Sequence, residues 1–134
     1  MSRKIFVNLP VKDLDRSVDF FTKCGFSFNP QFTDENATCM VVSEDIFVML
    51  LVEPFFKSFS KREIPDTAQS SEVLVALSGD SREDVDQLVD AALAAGGGAH
   101  GDPQEEGPMY GRSFTDPDGH IWEVMWMDPA ALEG

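Results

Sequence analysis

The sequence predicts an α+β fold built from two βαβββ modules whose sheets curl into one shared cup. Three observations predict it. An alternating strand pattern, a polar turn, a helical stripe and a closing glycine occur twice, once ending at Gly25 and once at Gly96. Val7-Asn8-Leu9 aligns with Val75-Ala76-Leu77. Ile46 to Leu51 aligns with His120 to Met125, each a terminal strand after a tight acidic turn. The whole chain, 1–134, is then one duplicated domain: module one over about 1–53, a connector at 54–70 and module two over about 71–134.

Each element has a local reason. Residues 4–9, KIFVNL, alternate as a strand. Asp13 is placed to cap a helix whose apolar stripe is Leu14, Val18, Phe20, Phe21 and Cys24, with Gly25 ending it. Residues 26–33 read as an edge strand because Pro30 removes a ladder donor. Residues 37–43 and 46–53 are strands, the second apolar enough to be buried on both faces. The connector holds Phe55, Phe56 and Phe59 at helical spacing, which reads as a short helix with a partly buried apolar face, or as a lid over a pocket. In the second module 73–78 is a strand. Ser81 caps a helix with Asp84 three residues on, and Val85, Leu88, Val89, Ala92 and Leu93 form its stripe. A short strand near 98–101 and a polar loop, DPQEEGP, lead to strands at 109–116 and 120–127 joined by Asp116-Pro117-Asp118-Gly119.

Composition narrows the function classes. Ten Lys plus Arg against 24 Asp plus Glu give a net charge of -14, which repels phosphate backbones and anionic lipid, so neither nucleic acid nor membrane is an expected partner. No apolar run reaches the roughly 18 residues of a membrane span, and no apolar leader opens the chain. Cytoplasmic location is expected, with Cys24 and Cys39 as reduced core residues.

The stretches VNLPVKDLDRSVDFFTKCGF and DPDGHIWEVMW resemble the vicinal oxygen chelate superfamily, which includes glyoxalase I, extradiol dioxygenases and bleomycin-resistance proteins. The similarity covers nearly the whole chain. It implies paired βαβββ modules, a central cup, often a dimer and, in the metal-dependent members, a divalent cation held by His, His or Gln, Glu and Glu from the first and last strands of each module. Glu123 matches the last of these ligands. The other three positions fall on Phe6, Leu74 and Met49, which offer no hard donor. A two-residue slip of both first strands brings Asn8 and Glu72 instead. No cofactor is therefore expected, with a divalent metal as the alternative. His100 sits in a Gly-rich connection, and His120 lies on the strand face opposite Glu123.

An acid on an apolar strand can be a general acid or base, a ligand anchor or a paired core carboxylate. Tyr110 and Arg112 on the neighbouring strand are candidate partners of Glu123. If their face points into the cup, the site holds an acid, a cation and a phenol; otherwise Arg112 belongs to the surface or an interface. The ligand-binding set read from sequence is Phe6, Asn8, Met49, Leu74, Tyr110, Arg112 and Glu123, with Glu123 as the candidate catalytic residue. The expectation is a homodimeric binder of a small molecule in a metal-free cup, of resistance or sequestration type or with non-metal chemistry at Glu123. The alternative is a divalent-metal-dependent lyase or isomerase of glyoxalase I type.

Overall fold

The computed structural model describes residues 3–132, with the side chains of 131 and 132 left undescribed. The chain divides into two compact units, Met1–Asp66 and Thr67–Gly134. No described helix is long and apolar enough to cross a membrane.

The first unit runs β1 (Ile5–Val11), α1 (Leu14–Lys23), β2 (Ser27–Asn29), a 3-10 turn (Pro30–Phe32), β3 (Ala37–Val41), β4 (Ile46–Val52) and α2 (Glu53–Ser60). Its sheet has the order β1-β4-β3-β2. The outer partner β1 runs parallel to β4, from Ile5 opposite Ile46 to Val11 opposite Val52. Helix α1 starts where the Asp13 carboxylate accepts from the Arg16 amide at 3.2 Å. It ends before Gly25, whose φ of 106° is a conformation other residues resist. Phe20 and Phe21 of α1 are buried, and the helix packs on β3 and β4, whose Met40, Val48 and Leu50 are also buried. Full burial of each such side chain contributes about 1.5–3 kcal/mol.

The structure corrects two readings here. Residues 30–33 do not continue the edge strand, because Pro30 opens a 3-10 turn capped by the Asn29 side chain. Strand β4 is not buried on both faces: Phe47 and Met49, on the side of the sheet away from α1, are half-buried, and Ile46 at the start of the strand is exposed. The expected helix in 54–70 is present as α2. It packs against β1 and β4 and so belongs to the first unit. None of its residues is fully buried, and Phe55 and Phe56 are half-buried, the partly buried face expected of it.

The second unit repeats the plan with β5 (Leu74–Ser78), α3 (Arg82–Ala94), β6 (Gly98–Ala99), β7 (Gln104–Glu106), β8 (Met109–Thr115), β9 (Ile121–Met127) and a final turn of helix, α4 (Pro129–Leu132). The order is β5-β9-β8-β6, with β7 also on β8. Again the first and last long strands pair in parallel, Leu74 opposite Ile121 and Ala76 opposite Glu123. Ser81 caps α3 by accepting from the Asp84 amide at 3.0 Å. The Asp84 carboxylate reaches back to the Asp80 amide at 2.9 Å, one residue further than a capping box does. Val85, Val89 and Ala92 bury against β8 and β9, where Phe114 and Trp122 stack with ring planes 3° apart. The stretch read as a polar loop contains β7. It forms a hairpin with β8 across Gly107-Pro108, Glu106 pairing with Met109, and all three of its residues are exposed.

Candidate functional site

Helix α1 covers one face of the first sheet, and strand alternation assigns the other face. Phe6, Asn8, Pro10, Phe47, Met49 and Leu51 share that open face, as their register pairs require. Cys39 joins them beside Met49. Phe6 stacks on Phe47 with centroids 5.0 Å apart, yet half of its surface stays accessible. Asn8 lies directly opposite Met49. A groove of about 480 Å³ opens here, lined by Asn8 and Leu51 from the sheet and Phe56, Phe59 and Ser60 from α2. Phe55 packs edge-on against Phe59 at 4.9 Å and sets the angle of that ring. The helix stops at Lys61, which takes the left-handed conformation at φ 58° and turns the chain away. Of these residues, Leu51, Phe56, Phe59 and Ser60 were outside the sequence-based site; the helical spacing of the phenylalanines was the signal that pointed to them.

In the second unit the open face carries Leu74, Ala76 and Ser78 of β5 with Ile121, Glu123 and Met125 of β9. Ser113 of β8 stands beside Glu123 on the other flank. Glu123 is half-buried, and among the described residues its carboxylate takes part in no hydrogen bond or ion pair. Leu74 is exposed. The trio Leu74, Ile121 and Met125 gives this acid an apolar setting.

Tyr110 and Arg112 are not partners of Glu123. Register places them opposite Trp126 and Val124, on the face that α3 covers. There the Tyr110 hydroxyl donates to Asp86, and Arg112 donates to the same carboxylate at 2.9 Å and pairs with Asp90 at 3.0 Å. Arg82 lies over the Tyr110 ring at 4.0 Å and pairs with Glu105 of β7. The Tyr110 hydrogen bond, followed by that of Arg112, holds the Asp86 carboxyl below its usual range. This network fastens the β7–β8 hairpin to α3.

The Asp116-Pro117-Asp118-Gly119 turn is tied from within. Asp116 is buried and accepts from the amides of Asp118 and His120 at 2.9 and 3.0 Å and from the Trp122 indole at 3.0 Å. Burial nevertheless pushes its carboxyl up, and only in part do the His120 charge and these hydrogen bonds oppose that. Thr67 donates to the Asp118 carbonyl at 2.6 Å, in the space a side chain at position 119 would need. His120 is buried, with Nδ1 3.3 Å from Glu72. It therefore pairs within its own unit, on the side of β9 away from Glu123. His100 is an exposed loop residue.

The donor set does not fit a divalent cation. Of the four positions implied by the resemblance, Phe6 and Leu74 carry no donor, Met49 carries a thioether and only Glu123 is a hard ligand, where ordinary sites use three or four. Asn8 is on the open face of its sheet, whereas Glu72 is occupied by His120. Among the described residues no group of three or more His, Cys, Asp or Glu could hold a metal ion.

Residues 3–43 match the family model described as bleomycin resistance protein-like N-terminal. A hypothetical protein from S. aureus is 28% identical, with 94% of each chain covered and a TM-score of 0.79. A glyoxalase/bleomycin resistance protein/dioxygenase family enzyme from Burkholderia phytofirmans PsJN is 18% identical over 94% of this chain and 99% of its own, with a TM-score of 0.79. The chain has the fold of the vicinal oxygen chelate superfamily. An antibiotic binding protein from Streptomyces sp. CB03234 shares that fold at 18% identity, 95% and 97% coverage and a TM-score of 0.68. No curated protein sequence matches. The resemblance read from VNLPVKDLDRSVDFFTKCGF and DPDGHIWEVMW is thus borne out, the first stretch lying within the matched segment.

Proposed function

We propose that this chain is a small-molecule binding protein of the resistance or sequestration type that works without a metal, as a cytoplasmic homodimer. The observation that carries the reading is the groove beneath α2. Its volume of about 480 Å³ lies in the range of small-ligand sites, and it joins three apolar side chains to two polar ones, Asn8 and Ser60. Support for metal-free binding comes from the donor set, which offers one hard ligand where a cation needs several. The exposed apolar side chains Ile5, Phe6 and Ile46 at the start of the first sheet are surface of the kind a second copy covers. A thermal-shift screen against cationic aromatic compounds and thiol adducts tests the binding. A true ligand raises the melting temperature with the logarithm of its concentration and needs no added metal. Purified protein carrying stoichiometric metal, with ligand binding abolished by a chelator, contradicts the proposal. Light scattering at micromolar concentration reads the oligomeric state.

One observation favours a second reading, a lyase of glyoxalase type or non-metal chemistry at Glu123: the half-buried, unpartnered carboxylate itself. Without a partner, the Glu123→Gln exchange leaves the melting temperature within about 2 °C, since surface-accessible substitutions of this kind stay within ~0.5 kcal/mol. A glyoxalase assay with added nickel or zinc, run on both proteins, decides the matter. Turnover that disappears in the folded Glu123→Gln protein establishes catalysis; no turnover in either leaves binding as the function.

A further inference from the structure

The groove beneath α2 also restricts what it can hold. Among the described residues, no Lys, Arg, His, Asp or Glu lines it. Its apolar part is two phenylalanine rings and Leu51, surfaces that suit a flat ring system. Its polar part is unequal. The Ser60 hydroxyl is engaged with the backbone of Arg62, donating to the carbonyl and accepting from the amide, each at 3.3 Å. Asn8 is exposed, and among the described residues its side chain makes one hydrogen bond, from Nδ2 to the Phe6 carbonyl at 3.5 Å, the long limit for such a bond. An incoming group displaces that bond at little cost. A primary amide side chain offers an acceptor and donors side by side in one plane. Its complement is a planar edge with an adjacent N–H and C=O. A carboxylate meets only the donor half of Asn8, finds no cation in the groove and must approach a protein of net charge -14.

We propose that the groove takes a neutral, planar heteroaromatic molecule bearing a lactam or carboxamide edge. The ring lies against Phe56 and Phe59, and the edge pairs with Asn8. This rests on the groove being the ligand site of the function proposed above.

The test uses three matched probes: 2-quinolinone, its N-methyl derivative and quinoline-2-carboxylate. Each is titrated into ¹⁵N-labelled protein and followed by NMR at the Asn8 side-chain amide and the α2 amides. The lactam binds roughly three- to tenfold more tightly than the N-methyl compound, the worth of one hydrogen bond exposed to some solvent. The carboxylate is the weakest of the three. The Asn8→Leu exchange removes the preference for the lactam and leaves the N-methyl compound bound as before, whereas Phe59→Ala weakens both. Equal binding of the lactam and its N-methyl derivative to the unaltered protein, or tightest binding of the carboxylate, overturns the assignment of ligand class while leaving the groove as the site. Binding of none of the probes, or shifts that avoid α2 and Asn8, overturns the groove reading itself.

Discussion

Replacing Asp116 by alanine removes the one acceptor shared by the Asp118 and His120 amides and the Trp122 indole. A buried donor left without a partner costs roughly 1–3 kcal/mol, which for three donors sets an upper range well above what will be seen. Two effects reduce it: the carboxylate no longer has to be desolvated, and water reaches the shortened side chain. A net loss of about 3 kcal/mol remains. With an unfolding entropy of about 2.1 cal/mol/K per residue, the chain of 134 residues unfolds with about 0.28 kcal/mol/K, so the melting temperature falls by about 10 °C. The Asp116→Asn exchange keeps the oxygen that serves the two amides and turns an N–H toward the indole. Its loss is about 1 kcal/mol, or ~4 °C. The pH dependence has a definite sign. Burial raises the folded carboxyl above its ordinary 3.8, so the stability linked to it is full below 3.8 and is lost as pH rises through the folded value. The asparagine variant lacks this titration, and its deficit is therefore larger at pH 3 than at pH 7. Calorimetry on the three proteins at both pH values measures all of this. An alanine variant within 2 °C of the parent, or a deficit that grows with pH, refutes the account of the turn.

Tyr110→Phe removes the foremost cause of the lowered Asp86 carboxyl. Because a depressed folded value stabilises above the ordinary 3.8 and is lost as pH falls through it, the variant is weaker at pH 7 and equals the parent near pH 2 in chemical denaturation. Asp86 is 42% exposed at its side chain, so solvent screening holds the neutral-pH difference under about 1 kcal/mol. The two thiols make a further test. Burial pushes Cys24 up to about 11 and Cys39 upward too, so an aromatic disulfide reagent at pH 8 labels neither in the native protein within minutes and both at once in denaturant. Fast native labelling of Cys24 contradicts its burial at the C-terminal end of α1.

What could be read from the residues depended on whether a pattern had one physical meaning. The Asp13 and Ser81 caps and the glycines at 25 and 96 are local signals, and both helices begin and end where those signals stand. The duplication gave Met49 and Glu123 as equivalent positions, and the two sheets agree: each lies opposite a first-strand residue, Asn8 in one and Ala76 in the other. Tyr110 and Arg112 were ambiguous because β9 is apolar on both faces; the pairing with Trp126 and Val124 and the contacts to Asp86 and Asp90 on α3 fix which way they point. Strand β7 escaped because an edge strand of Gln and Glu exposes every residue and shows no alternation. Asp116 escaped for the opposite reason: aspartate in a turn normally faces water, and nothing nearby in sequence says that an indole will close over it.

The parallel pairing of first and last strands has a consequence for how the chain is made. Ile5 finds Ile46 only after 40 intervening residues have been synthesised, and Leu74 finds Ile121 only after 46, so each sheet is closed by its final strand and not by its hairpins. A ribosome that has released the chain beyond Val52 has already issued every strand of the first sheet. That half can seal β4 against β1 while β9 does not yet exist, and vectorial synthesis thereby keeps two look-alike strand pairs from exchanging partners.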